Sequence, residues 1–209
     1  MCITKEVSIS VFIICTLSCI YIYKRNKLND RWIAILFGYI GIMQFLEYLM
    51  WEDQECSGLN QKATRVAFYI LIFQPMVSFL IAYYMTNGKI PLWLYLLNII
   101  YITYSVPILY SKLEDNQCSK PCDNSKIGLI WPWLYWKYIS VFVFFLCLVS
   151  PLLLMKKNGV LYFTLNLIVL LLSGIVGSYR CRGIINIPVG SFWCLMAFFA
   201  PIVAIFINK

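Results

Sequence analysis

Residues 32–51 read WIAILFGYIGIMQFLEYLMW, an apolar stretch in which Glu47 is the single charged residue. At 1.5 Å per residue, a helix of this length covers about 30 Å, which is the thickness of the hydrocarbon core of a bilayer. A strand of a membrane barrel would instead alternate apolar and polar residues. The stretch therefore predicts a transmembrane α-helix.

Similar stretches recur along the chain, in which 62% of residues are hydrophobic and 12% are charged. Because the charges fall in short clusters between apolar runs, lipid is the expected solvent. We predict one transmembrane domain over residues 1–209, an all-α polytopic membrane helical bundle with about seven transmembrane helices and short loops. The predicted spans are 7–23, 32–51, 66–86, 92–110, 138–155, 160–178 and 190–208.

The tryptophans support these boundaries, because an indole ring is favourable at headgroup depth. All of them fall at or beside predicted span ends: Trp32, Trp51, Trp93, Trp131, Trp133, Trp136 and Trp193. The densest group, in residues 131–138, predicts an interfacial segment that leads into the fifth helix. An aromatic ligand platform is the alternative for that segment.

Basic residues near the spans predict the orientation. The loop after the first span carries Lys24, Arg25, Lys27 and Arg31 against one acid, Asp30, so we expect it in the cytosol. The N-terminus is then non-cytosolic and the C-terminus cytosolic. The net charge of +8 is spread over both faces, so lipid headgroups are the expected counterions and nucleic acid is not an expected partner.

Small residues in two spans predict close helix contacts. Gly38 and Gly41 form a notch in the second span, and the sixth contains the pairs Ser173 with Gly177 and Gly174 with Ser178. Such pairs let helix backbones approach each other. They favour packing within one bundle over contacts between copies, and the oligomeric state stays open.

Four cysteines, Cys56, Cys118, Cys122 and Cys181, fall in loops that this topology places together on the non-cytosolic side. They predict two disulfides, and three pairings are open, with bonds between different loops preferred. A redox role for the pair Cys118 and Cys122 is less favoured, since redox motifs usually have two intervening residues. A zinc site is also disfavoured, because the chain has no histidine.

Glu47 is the only acidic residue predicted within the membrane, and it shares a helix face with Gln44 and Trp51. With Gln74 and Asn98 it is a candidate for an ion or proton path, since intramembrane charge is usually functional. The alternative is structural: Glu47 lies one turn from the interfacial Trp51 and could reach headgroup water. The structural reading is favoured.

Catalysis is not expected. Without histidine, the chain lacks the usual imidazole base, the Ser–His nucleophile pair and histidine metal sites. It has no Gly-rich phosphate loop, and its last span has no lysine for a retinal Schiff base. We therefore predict neither a catalytic residue, nor a metal, nor a cofactor.

Two hypotheses about function follow. In the first, a noncatalytic membrane protein acts in envelope or membrane organisation, or binds protein partners through its non-cytosolic loops. In the second, a small proton or ion channel or transporter uses Glu47. The frequent Ile, Asn, Lys and Tyr indicate an AT-rich genome, such as that of a large DNA virus, in which case the membrane is that of the host or virion.

Overall fold

A computed structural model describes residues 4–111, 117–121, 128–132, 138–180 and 199–207. This part of the chain is mostly helical. The helices are α1 (Lys5–Arg25), α2 (Asp30–Glu52), α3 (Leu59–Met85), α4 (Leu92–Ser111), α5 (Tyr138–Val149) and α6 (Gly159–Arg180). A 3-10 helix, Ser150–Leu154, follows α5, and residues 199–207 are also helical.

Local polar contacts set the ends of α1. The Thr4 hydroxyl accepts a hydrogen bond from the Val7 amide at 3.4 Å and so caps the first turn. At the other end, Asn26 takes the left-handed conformation with φ 54°, and its N–H donates to the Ile22 carbonyl at 3.0 Å. The chain then turns directly into α2, so the two helices run antiparallel.

The predicted glycine notch of α2 packs against two cysteines of α1. A Cβ atom added to Gly41 would lie 2.8 Å from the Cys15 sulfur, whereas one added to Gly38 would lie 3.9 Å from the Cys19 sulfur. Both cysteines are buried in the hydrophobic core. The small residues of α2 therefore serve contacts within the chain, as the sequence suggested.

Three helices, α1, α2 and α3, are long and apolar enough to cross a membrane. The described parts of the other three contain shorter apolar segments, Leu92–Pro107, Phe142–Leu154 and Gly159–Val169. The predicted count of about seven spans is therefore not supported by the described residues. Residues 190–198 and 208 of the last predicted span lie outside them.

Two helices differ in extent from the predicted membrane spans. The third helix begins at Leu59 and not at residue 66, because the polar first turn of α3 is stabilised by hydrogen bonds that hydropathy does not reveal. The fifth prediction, 138–155, spans an α-helix that ends at Val149 and a 3-10 helix that contains Pro151. Proline lacks the N–H that an α-helix would use there.

The long connection between α4 and α5 contains a short antiparallel strand pair, β1 (Lys120–Pro121) and β2 (Leu129–Ile130). The connections are therefore not all short. Trp131, which follows β2, is 3% exposed and packs in the core, as does Trp32 at the start of α2. Their expected positions at headgroup depth stay predictions, since burial within the protein does not measure depth in a bilayer. Trp93 is 47% exposed.

An ion pair closes the end of the bundle that contains the α1–α2 loop, residues 26–29, here called the basic end. Arg25 binds Asp30 through two hydrogen bonds of 2.8 Å. The same guanidinium donates to the carbonyls of Ala204 and Ile205 at 2.9 Å. Carbonyls in the last turn of a helix lack partners within the helix, so Arg25 attaches segment 199–207 to the α1–α2 hairpin.

Candidate functional site

The opposite end of the bundle is formed by the α2–α3 loop, residues 53–58, and the segment 117–121, and is here called the tied end. Asp53 organises the loop. Its carboxylate accepts from the Ser57 amide at 2.8 Å and from the Gly58 and Asn60 amides at 3.0 Å. Gly58 is the N-cap of α3 and has no side chain that could accept a bond, so Asp53 caps the helix from outside it.

These backbone hydrogen bonds, first from Asn60 and then from Ser57, lower the pKa of Asp53 to about 2. They favour the charged carboxylate over its protonated form. Burial acts in the opposite direction but is outweighed. Asp53 therefore remains an anion that holds the start of α3.

Asn60 joins three segments of the chain. Its side-chain amide donates to the Met50 carbonyl of α2 and to the Ser119 carbonyl, both at 2.9 Å. Its side-chain oxygen accepts from the Ser119 amide at 2.9 Å and from the Thr64 hydroxyl at 3.0 Å. Asn60 and Ser119 are fully buried and Thr64 nearly so. A buried polar network satisfied in this way rigidifies its surroundings.

A disulfide adds a covalent link at the same end. Cys56 in the α2–α3 loop is bonded to Cys118, with the two Cα atoms 6.1 Å apart. This bond joins different loops, as preferred, and it belongs to one of the three pairings that the sequence left open. Cys122 and Cys181, the other two candidates, lie outside the described residues. The disulfide and the Asn60 network together fix residues 117–121 against the start of α3.

Glu47 lies in α2 below the tied end and is completely buried. The Gln44 side-chain amide, also completely buried, donates to its carboxylate at 3.2 Å. The sequence placed these two residues on one helix face, and here they contact each other. Glu47 is enclosed by protein, so the alternative in which it reaches headgroup water does not describe this structure.

Gln74 and Asn98 are also buried, but they lie at a different level along the bundle axis from Gln44 and Glu47. Tyr39 bonds to the Ile70 carbonyl and Asn60 to the Met50 carbonyl, so α3 residues between 60 and 70 face Gln44 and Glu47. Gln74 lies further along α3, roughly 10–15 Å from that level at 1.5 Å per residue. The four candidate residues therefore form two groups and do not meet at one point.

The second group lies where α3 and α4 pack together. Tyr101 of α4 donates to the Ile72 carbonyl of α3 at 2.8 Å. Because the helices are antiparallel, Gln74 and Asn98 both lie within about one turn of this contact, on the same side of it. Both polar atoms of Gln74, and the side-chain oxygen of Asn98, have no hydrogen-bond partner among the described residues.

Sequence reasoning missed the residues that organise the tied end. Asp53, Asn60, Thr64 and Ser119 were not among the predicted site residues. The spacing of Asp53 before a helix start was a usable signal, since an acid near a helix N-terminus is a common cap. The partnership of Asn60 with Ser119 leaves no such local signal.

The hydrogen bonds of Asp53 and Asn60 and the disulfide hold the loops of the tied end together. Within the described ranges, no group of three or more Cys, Asp or Glu side chains could hold a metal ion. Comparisons with protein-family models, with curated proteins and with solved structures found no match to this chain.

Proposed function

We propose that this chain is a noncatalytic multi-pass membrane protein that binds a protein partner through its tied end. The observation that carries the proposal is the Asn60 network together with the Cys56–Cys118 disulfide. A surface that is already ordered loses little conformational entropy on binding, which favours association. Membrane or envelope organisation would follow from such contacts.

The tied end exposes an apolar residue and charges of both signs. Leu59, at the first turn of α3, is 43% exposed. Glu55 and Lys62, which lie within four residues of it in the chain, are also exposed, as is Lys120, which follows Ser119 of the Asn60 network. In a complex, Leu59 would lie in the buried part of the contact and the charged side chains at its polar rim.

A bundle of about seven spanning helices is part of this proposal. Arg25 attaches segment 199–207 to the basic end, and the Asn29 amide donates to the Lys157 carbonyl at 2.7 Å. The loops before α2 and before α6 and the end of segment 199–207 thus meet at one end, as expected for helices that cross alternately. With the basic end cytosolic, the tied end is non-cytosolic, where disulfides form.

Site-specific photo-crosslinking in native membranes tests the proposal. A photoreactive amino acid at Glu55 should give one discrete protein adduct, and the same amino acid at Lys89, on the α3–α4 turn at the other end, should not. Cys56→Ser with Cys118→Ser should abolish the adduct while the protein stays in the membrane. Equal adducts from both positions, or an adduct indifferent to loss of the disulfide, would contradict partner binding at this end.

A proton or ion path through Glu47 is the second candidate. It is favoured by the unpartnered polar atoms of Gln74 and Asn98, since buried groups of this kind often bind water or an ion. A proton or ion would then pass two polar positions in succession. The first is formed by Glu47 and Gln44, and the second, at another level of the bundle, by Gln74 and Asn98.

Flux measurements separate the two candidates. Liposomes that contain the purified protein should show proton or cation flux if the path exists, and both Glu47→Gln and Gln74→Leu should reduce it. Val66→Leu, at an exposed position of α3, is the control. Silent liposomes with folded protein would exclude the path and leave partner binding as the function.

A further inference from the structure

A groove on the outer side of the α1–α2 hairpin opens next to the basic end. It has a volume of about 230 Å³ and is lined by residues of both helices. The lining residues are Cys19, Ile20, Tyr23, Lys24, Ala34 and Ile35. Its deepest residues, Cys19 and Ala34, are buried, whereas Ile20 and Ile35 are 48% and 40% exposed. The groove is therefore apolar along its length, with a cation at one end.

Two cations near this groove form no salt bridge within the part of the chain that the structure describes. Asp30 is the single acid in the α1–α2 loop region. Both of its carboxylate oxygens accept hydrogen bonds from Arg25, which also donates to the carbonyls of segment 199–207. Lys24 and Arg31 are exposed and form no salt bridge with any described residue. The pairing of Arg25 with Asp30 thus leaves Lys24 and Arg31 without a counterion among the described residues.

Tyr23 connects the two cations. It lines the groove next to Lys24, and the Arg31 guanidinium lies 5.5 Å from the centre of its ring. This cation–π contact orients Arg31, which belongs to α2, towards the groove wall contributed by α1. Two basic side chains from different helices are therefore held at the same end of one apolar groove.

We propose that this groove binds an anionic phospholipid, with an acyl chain along Ile20 and Ile35 and the headgroup phosphate between Lys24 and Arg31. The apolar walls match an acyl chain, and the two unneutralised cations match the charge of the headgroup. Lysine and arginine near a membrane surface attract anionic lipids in this way. The proposal rests on membrane insertion alone and is independent of partner binding at the tied end.

Native mass spectrometry of the purified full chain tests the proposal. The protein would be titrated with phosphatidylglycerol and, separately, with phosphatidylcholine of the same acyl chains. We expect tighter binding of phosphatidylglycerol to the wild type. Lys24→Gln with Arg31→Gln should weaken it about 30-fold, as expected for the loss of two cations near a membrane surface. Lys62→Gln with Lys89→Gln removes the same charge elsewhere and should leave the affinity unchanged.

The proposal would be overturned by equal affinity for the two lipids, by an unchanged affinity in the Lys24/Arg31 variant, or by an equal loss in the control variant. An excess of inorganic phosphate that displaces the lipid would assign the site to a free anion and would also overturn it. Lys24→Gln alone retains the Arg31–Tyr23 contact and provides a milder variant, for which a smaller loss is expected.

Discussion

Asn60 and Ser119, which are 59 residues apart, exchange two hydrogen bonds of 2.9 Å between the side-chain amide of one and the peptide groups of the other. The amide of Asn60 thus pairs with a peptide group in the way that a neighbouring strand would. Because both residues are fully buried, these bonds are shielded from water. The first turn of α3 and the α4–α5 connection are held together by this pair.

Replacement of Asn60 by Asp should destabilise the tied end. A carboxylate cannot donate to the Met50 and Ser119 carbonyls. Met50 keeps the bond from the Gln54 side chain at 2.6 Å, but the buried Ser119 carbonyl loses its Asn60 donor, which costs about 1–3 kcal/mol in the free energy of unfolding. Unfolding in mixed detergent micelles measures this change. Gln61→Glu makes the same chemical change at the next residue, which is partly exposed, and should have little effect. Equal stability of the two variants would show that the network is unimportant.

The two glycines of the α2 notch should differ in their tolerance of substitution. Gly41→Ala should lower the free energy of unfolding by about 1–3 kcal/mol, because its new methyl group would overlap the Cys15 sulfur. Gly38→Ala, with its nearest neighbour at 3.9 Å, should be tolerated. Cys15→Ala should restore stability to the Gly41 variant. Equal effects of the two glycine substitutions, or no rescue, would argue against this packing of α1 on α2.

The ion pair at the basic end should be essential for stability. Asp30→Asn leaves the partly buried Arg25 without its counterion, and breaking a buried pair costs about 3–5 kcal/mol. Thermal unfolding in detergent measures the loss. Lys27→Gln removes a neighbouring exposed charge and keeps the amide that donates to Asp30, so it serves as the control. A small effect of Asp30→Asn would mean that the pair is dispensable.

The lowered pKa of Asp53 implies that the free energy of unfolding falls in acid. Because hydrogen bonds lower its pKa from the ordinary 3.8 to about 2, folding favours the charged form. The stabilisation is complete above pH 3.8 and is lost as the pH falls towards 2. Unfolding followed between these pH values should show the decline in the wild type, with a shallower decline in Asp53→Asn. Glu55→Gln should retain the wild-type dependence, and an identical profile for Asp53→Asn would refute the role of the cap.

The long apolar runs were sufficient to predict the helices. Spans 7–23 and 32–51 fall inside α1 and α2, and 92–110 falls inside α4, because backbone hydrogen bonds in lipid must be satisfied within each segment. Helix ends were less predictable. Hydropathy excluded the polar turn at the start of α3, where capping by Asp53 compensates for the missing apolar residues.

The sequence by itself determined the helical class, the notch of α2 and the contact face shared by Gln44 and Glu47, because each depends on residues within a few turns of one helix. Only the tertiary structure decided the pairing of Cys56 with Cys118, the bonds of Asn60 with Ser119 and the attachment of Arg25 to segment 199–207. These contacts join residues far apart in the chain, and their partners are selected by how the helices pack, which no local pattern records.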